Sequence, residues 1–87
     1  MEIKSFDSVN GNDSTLSEHV RHCVESYFVQ LNGHDSSGLY NLVLAEVEKP
    51  LLEIALKHTE FNQSKAAKIL GLSRSTLRKK LEQYQIS

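Results

Sequence analysis

The sequence predicts an all-α chain of four helices, the last two meeting at a tight corner. Three observations carry that expectation. Apolar residues recur at steps of three and four along residues 16–31, the period of one helix face. A longer segment, Gly38 to about His58, is apolar around nearly its whole circumference, as a helix buried on all sides would be. The string NQSKAAKILGLSRSTLRKKL, residues 62–81, places a glycine and a capping serine between two short helical runs.

The elements follow in chain order. Residues 1–14, MEIKSFDSVNGNDS, are polar and lack a clear period. Asn10-Gly11 suits a two-residue hairpin turn, but Ile3, Phe6 and Val9 before it do not alternate. A mobile arm is therefore expected, with a hairpin as the alternative. Thr15 to Glu18 fits the Thr-x-x-Glu capping box. Leu16, Val20, Cys23, Val24, Tyr27, Phe28 and Leu31 then form the stripe of a first helix, which Asn32-Gly33 ends. A polar loop over residues 33–37 leads into the second helix, whose apolar residues run from Leu39 to Leu56. A single chain of 87 residues cannot wrap such a helix, whereas a homodimer can. Pro50 removes one hydrogen bond there and clashes with the Glu46 carbonyl, yet no turn residues flank it. One kinked helix is expected rather than two. The third helix runs from about Gln63 to Leu70 behind Asn62 as cap, and the fourth from about Arg74 to Tyr84. The organisation expected is an arm (1–14), dimerisation helices (15–58) and a helix-turn-helix (59–87).

The corner carries the chemistry. Ala66 and Ala67 put small side chains where two helices must approach closely, and Gly71 stands where a left-handed residue is wanted. Ser73 caps a helix whose inward face is Leu77, Leu81 and Tyr84. Outward lie Arg74, Arg78 and Lys79, with the hydroxyls of Ser75 and Thr76 at the N-terminal end. These are donors suited to guanine edges and phosphate oxygens, and a second helix at such a corner can enter a major groove.

Net charge argues at first sight against that reading, because the formal total is −1. Its distribution argues for it. Residues 62–81 hold six of the ten basic residues, Lys65, Lys68, Arg74, Arg78, Lys79 and Lys80, and none of the eleven acidic ones. The remainder, with four basic and eleven acidic residues, stands at −7. Local field rather than total charge governs docking on a polyanion, so double-stranded DNA is the expected partner.

Other function classes find little support. The single cysteine excludes an intrachain disulfide and suits an intracellular protein. No apolar run approaches a membrane span, and nothing resembles an export signal. His19, His22 and Cys23 share a helix face, but Cys23 belongs to the apolar stripe as a buried free thiol and no fourth ligand completes a metal set. No nucleophile–base pairing, phosphate-binding glycine loop or paired-carboxylate pattern is visible, so neither an enzyme nor a cofactor is expected.

From Tyr27 onward the residues resemble the Fis family of bacterial nucleoid proteins, the factors for inversion stimulation. The matching strings are YFVQLNG at 27–33, LYNLVLAEVEKPLLE at 39–53 and NQSKAAKILGLSRSTLRKKL at 62–81. The last string also resembles the C-terminal DNA-binding module of sigma-54-dependent activators, whereas the middle one, with Pro50, is particular to the stand-alone protein. The resemblance implies a homodimer in which the first two helices of both chains intertwine as a four-helix core, with the second kinked at Pro50. It implies recognition helices closer together than one turn of B-DNA, hence bent DNA and loose sequence preference, in a protein of the cytoplasmic nucleoid. Carried over by residue, Arg74 matches the family's base-contacting arginine and Ser73 stands where an asparagine often does. Thr76, Arg78 and Lys79 match groups holding backbone or flanking edges. Asn62, Ser64 and Lys65 match a phosphate clamp, and Ser75 and Lys80 complete the candidate DNA-binding set.

Three departures from the family pattern stand out. Phe61 occupies a place usually held by glycine, so either that backbone takes positive φ at a cost of ~1 kcal/mol or the turn differs. Glu82 and Gln83 replace lysines, and Glu82 stands within pairing distance of Arg78 or Lys79. The arm is shorter than the family's hairpin, which contacts DNA invertases; it remains the expected site for a protein partner. Two alternatives accompany this reading: a domain of a larger sigma-54-type activator, and a helical interaction module with an acidic partner. The leading methionine and the lack of an ATPase region favour the stand-alone form over the first.

Overall fold

A computed structural model describes residues 15–34 and 37–87. Among the described residues it holds four helices, and it divides into two units, residues 1–37 and 38–87. The expected arm, 1–14, lies outside the described residues.

In the first unit, α1 spans Leu16–Leu31. Thr15 caps it as the sequence predicts, its hydroxyl accepting the Glu18 N–H at 3.1 Å. Asn32 ends it at φ 51°, a left-handed conformation that asparagine tolerates. Tyr27 and Phe28 meet edge to face, ring centroids 5.9 Å apart. No residue of α1 is buried: Val20, Val24, Tyr27 and Leu31 are half-buried, and Phe28 is 52% exposed. Cys23, expected to be a buried thiol, is exposed. No described residue of its own unit buries that face of the helix.

The second unit contains α2 (Leu39–His58), α3 (Gln63–Leu70) and α4 (Arg74–Gln83). Pro50 lies inside α2, which stays one helix, as the missing turn residues predicted. The core is small. Leu52 and Leu56 of α2, Ala66 and Ala67 of α3, and Leu77 and Leu81 of α4 form one buried cluster, with Leu70, Tyr84 and Ile86 packed against it. Burying each leucine contributes about 1.5–3 kcal/mol relative to exposure. All buried residues of α2 lie in its last two turns, Leu52, Ala55 and Leu56. The rest of the helix leaves Tyr40 (76%), Leu42 (54%) and Leu51 (50%) open.

Three helices of this unit end in the same way. After α2, the Phe61 N–H reaches the Leu56 carbonyl at 2.7 Å and the Glu60 N–H reaches that of Lys57 at 3.1 Å. After α3, Leu72 bonds Ala67 at 2.9 Å and Gly71 bonds Lys68 at 3.2 Å; after α4, Ile86 bonds Leu81 at 2.8 Å and Gln85 bonds Glu82 at 3.2 Å. Each is a Schellman motif, which satisfies carbonyls that a helix end leaves open and needs one left-handed residue. Glycine supplies it only after α3, at Gly71 (φ 76°); Glu60 (φ 54°) and Gln85 (φ 55°) do so at the others. Phe61 follows Glu60 in the same region at φ 66°. Of the two possibilities raised for Phe61, positive φ is the one realised. Thr59 steadies this turn, its hydroxyl lying 3.1 Å from the Ala55 and Leu56 carbonyls and 3.2 Å from that of Asn62.

Because Phe61 is 63% exposed, its ring contributes little packing to offset its backbone strain. Phe61→Gly is expected to stabilise the fold by ~0.5–1 kcal/mol, the left-handed penalty less glycine's extra chain entropy. Thermal unfolding checks this; a lower melting temperature would show that the exposed ring makes a stabilising contact.

Candidate nucleic-acid interface

The interface is built on the N-terminal ends of α3 and α4. Asn62 caps α3 through Oδ1, which accepts the Lys65 N–H at 3.1 Å. That bond commits the oxygen and leaves the amide N–H groups as donors to a phosphate. Ser73 caps α4: its Oγ accepts the Thr76 N–H at 3.1 Å and donates to Thr76 Oγ1 at 2.8 Å. Ser75 Oγ lies 3.3 Å from the same oxygen. The Ser73 hydroxyl is thus fully engaged within the protein, while the Thr76 hydroxyl proton, having accepted from Ser73, remains to be donated outward. Neither helix has an acidic residue in its first turn. The partial positive charge of both N-termini is therefore left for an external anion.

The side chains around these ends are exposed: Ser64 and Lys65 on α3, and Arg74, Ser75, Thr76, Arg78 and Lys79 on α4. Among the described residues, Lys65, Arg74, Arg78 and Lys79 have no ion-pair partner. The expected pairing of Glu82 with Arg78 or Lys79 is not made, and Glu82 is exposed. An intrahelical pair in the basic-then-acidic order offers too little to hold two long side chains together in water.

Lys80 differs from the others. Its Nζ lies 2.8 Å from Glu48 Oε2 on α2, and it is half-buried. The Tyr84 hydroxyl donates to the other carboxylate oxygen, Oε1, at 2.6 Å. Grouped by sequence with the DNA-facing cations, Lys80 faces α2 instead. Its spacing contained the signal: it stands three residues after Leu77 and four before Tyr84, at the edge of the inward stripe. Glu48, a lone carboxylate 32 positions away, gave no such sign.

The hydrogen bond from Lys80, and then that from Tyr84, hold the Glu48 carboxyl below the ordinary 4.5; burial opposes them, and the ammonium charge adds a still smaller lowering. The bond to Glu48 raises Tyr84 above the ordinary 10.0, because the phenol must keep its proton to donate; burial and the carboxylate charge act the same way.

Residues 43–84 match the model of the bacterial regulatory protein, Fis family. The chain is 45% identical to the DNA-binding protein Fis of Enterobacter sp. (strain 638), over 95% of this chain and 89% of the relative. It is 45% identical to that of Yersinia enterocolitica and 44% to that of Proteus mirabilis (strain HI4320), with the same coverage. The chain belongs to the Fis family. The Fis match runs through α1 and the whole of α2 as well as the corner, so it extends well beyond a shared helix-turn-helix. No helix among the described residues is long and apolar enough to cross a membrane.

The pKa directions fix a pH window for the α2–α4 contact. A depressed Glu48 contributes stability above the unfolded value near 4.5 and loses it as pH falls through the folded value; a raised Tyr84 contributes below 10.0 and loses it as pH rises further. The difference in melting temperature between wild type and Glu48→Gln should be constant around neutrality and shrink as pH falls below 4.5. A difference unchanged under acid conditions would mean that the carboxylate charge is not what stabilises the contact.

Proposed function

We propose that this chain is a dimeric DNA-binding and DNA-bending regulator of the bacterial nucleoid, non-enzymatic and cytoplasmic. It reads degenerate sites with two copies of α4. The observation that carries this is the exposed face built from the α3 and α4 ends. Among the described residues its cations are unpaired, both helix N-termini are free of acids, and no acidic residue interrupts positions 62–81. The Fis relatives are named as DNA-binding proteins, which supports it. Arg74, at the first turn of α4, is the residue for bidentate contact with guanine. Asn62, Ser64, Lys65, Thr76, Arg78 and Lys79 hold phosphates, the amide of Asn62 and the hydroxyl of Thr76 being set as donors by the capping bonds. Ser73 and Ser75 shape the helix start, and Lys80 serves the interface through its bond to Glu48.

The dimer is supported by what α1 and α2 leave uncovered. Phe28, Val29, Tyr40, Leu42, Leu51 and Ile54 are each at least half exposed in a chain of this size, and a second copy supplies the missing cover. Pro50 inside α2 is the proposed site of the kink in the intertwined core. Bending follows from two recognition helices set closer than one turn of DNA, favouring flexible pyrimidine–purine steps. A stand-alone regulator is favoured over an activator domain because the Fis relatives align through α1 and α2 over 89% of their own length. The arm, 1–14, is the proposed contact for a protein partner.

Arg74→Ala should cost ~1–3 kcal/mol per half-site and remove sequence preference, leaving weak binding that salt disrupts. Lys65→Ala should weaken all duplexes nearly equally. Titration of both variants against strong and weak sites checks the division; like behaviour would show that base and phosphate contacts have been assigned wrongly.

Sedimentation equilibrium at micromolar concentration should give twice the chain mass of 9.8 kDa. A folded helical monomer under those conditions would remove the dimer from the proposal.

A further inference from the structure

Glu48 belongs neither to the basic face nor to the apolar core, yet Lys80 of α4 and Tyr84, the residue that caps its C-terminus, converge on it. Lys80 Nζ donates to Oε2 at 2.8 Å and the Tyr84 hydroxyl to Oε1 at 2.6 Å. Both carboxylate oxygens are engaged by donors that stand one turn apart on the same edge of α4. The ion pair is partly shielded, the Lys80 and Glu48 side chains being 27% and 20% exposed. Tyr84 itself packs against the buried cluster that contains Leu77 and Leu81.

Apolar contacts hold α4 against its neighbours but resist rotation about the helix axis poorly, because burial has no preferred direction. Two short charge-assisted bonds to one fixed carboxylate do have direction. Arg74 and Arg78 project from the same rigid helix, so its rotation sets where their guanidinium groups sit in a groove. A bidentate base contact is sensitive to that placement, whereas attraction to phosphates is not.

We propose that Glu48 is a positioning residue for base readout: with Lys80 and Tyr84 it forms a latch that fixes the rotation of α4 on α2. Lys80 then acts through the fold rather than by touching phosphate. This rests on the DNA-binding reading given above. The latch reverses a simple electrostatic expectation. Glu48 is an acid on a protein that binds a polyanion, so removing its charge alone would tighten binding to every duplex. Removing it as part of the latch instead lowers the preference for well-read sites. Lys80, already neutralised by Glu48, contributes little to the release of DNA counterions.

The test uses full-length wild type, Glu48→Gln, Lys80→Gln, Tyr84→Phe and the charge-swapped double variant Glu48→Lys/Lys80→Glu. Each is titrated at several salt concentrations against two duplexes of equal length, one selected by wild type from a random pool and one scrambled. Amide hydrogen exchange of α4 is followed without DNA. The latch predicts that Glu48→Gln and Lys80→Gln each compress the preference roughly three- to tenfold. Salt slopes should match wild type, α4 amides should lose protection, and the swap should restore preference and protection. Tyr84→Phe removes one bond while keeping the packed ring, and reads the same quantities should either charge variant fail to fold. Tighter binding of Glu48→Gln to both duplexes with α4 protection intact would overturn the proposal. So would a Lys80→Gln slope shallower by about one unit per protomer, the signature of a lost phosphate contact. If wild type itself failed to distinguish the duplexes, the DNA-reading function would fall. The exchange measurement would then decide the latch alone, with unchanged protection in Glu48→Gln counting against it.

Discussion

The C-terminal unit depends on how closely α3 can lie between α2 and α4. Ala66 is 0% exposed and Ala67 4%, and both sit among Leu52, Leu56, Leu77 and Leu81. Two adjacent methyl groups allow that approach, while the longer leucines of the flanking helices reach across to close the cluster. Larger side chains there would overpack it at a cost of about 1–3 kcal/mol and move α4 with them. The corner that follows is equally constrained: Gly71 takes φ 76° and lets the chain turn from α3 into the Ser73 cap without strain. Closeness at two alanines therefore sets how near α4 can lie to its neighbours, while its rotation is left to the polar contacts at its edge.

On that frame the polar residues divide by location. Cations on the outer side of the α3 and α4 ends are exposed and unpaired among the described residues, and the caps beside them use serine and asparagine rather than aspartate. An acidic cap would satisfy the same backbone N–H groups but would repel the phosphate that the helix ends otherwise attract. The one cation on the inner edge, Lys80, meets a carboxylate. Acidic residues accumulate elsewhere in the chain, so a total near neutrality conceals a strongly basic face. Membership of the Fis family, whose relatives are named as DNA-binding proteins, agrees with this segregation of charge.

Local signals made most of the architecture legible in advance. The caps Thr15, Asn62 and Ser73 and the corner Gly71 place helix ends within a residue of those observed, because each satisfies its neighbouring backbone directly. The continuous α2 was legible for a similar reason, since no turn residue stands beside Pro50. What escaped depends on long-range or non-local facts. The Glu48–Lys80–Tyr84 contact joins positions 32 and 36 apart and has no sequence period. The left-handed Glu60 and Gln85 carry no glycine to announce them. Cys23 followed the apolar stripe, but no described residue of its own unit buries that stripe, so periodicity alone overstated its burial.

A basic face, not the net charge, suits this chain to duplex DNA. The most direct test is the affinity of the wild-type protein for one long duplex across a range of salt concentrations. Log K should fall linearly with log salt, at about −0.9 per phosphate neutralised, and so by several units when both faces of the proposed dimer engage. An affinity indifferent to salt, or an acidic polypeptide bound in preference to the duplex, would contradict it.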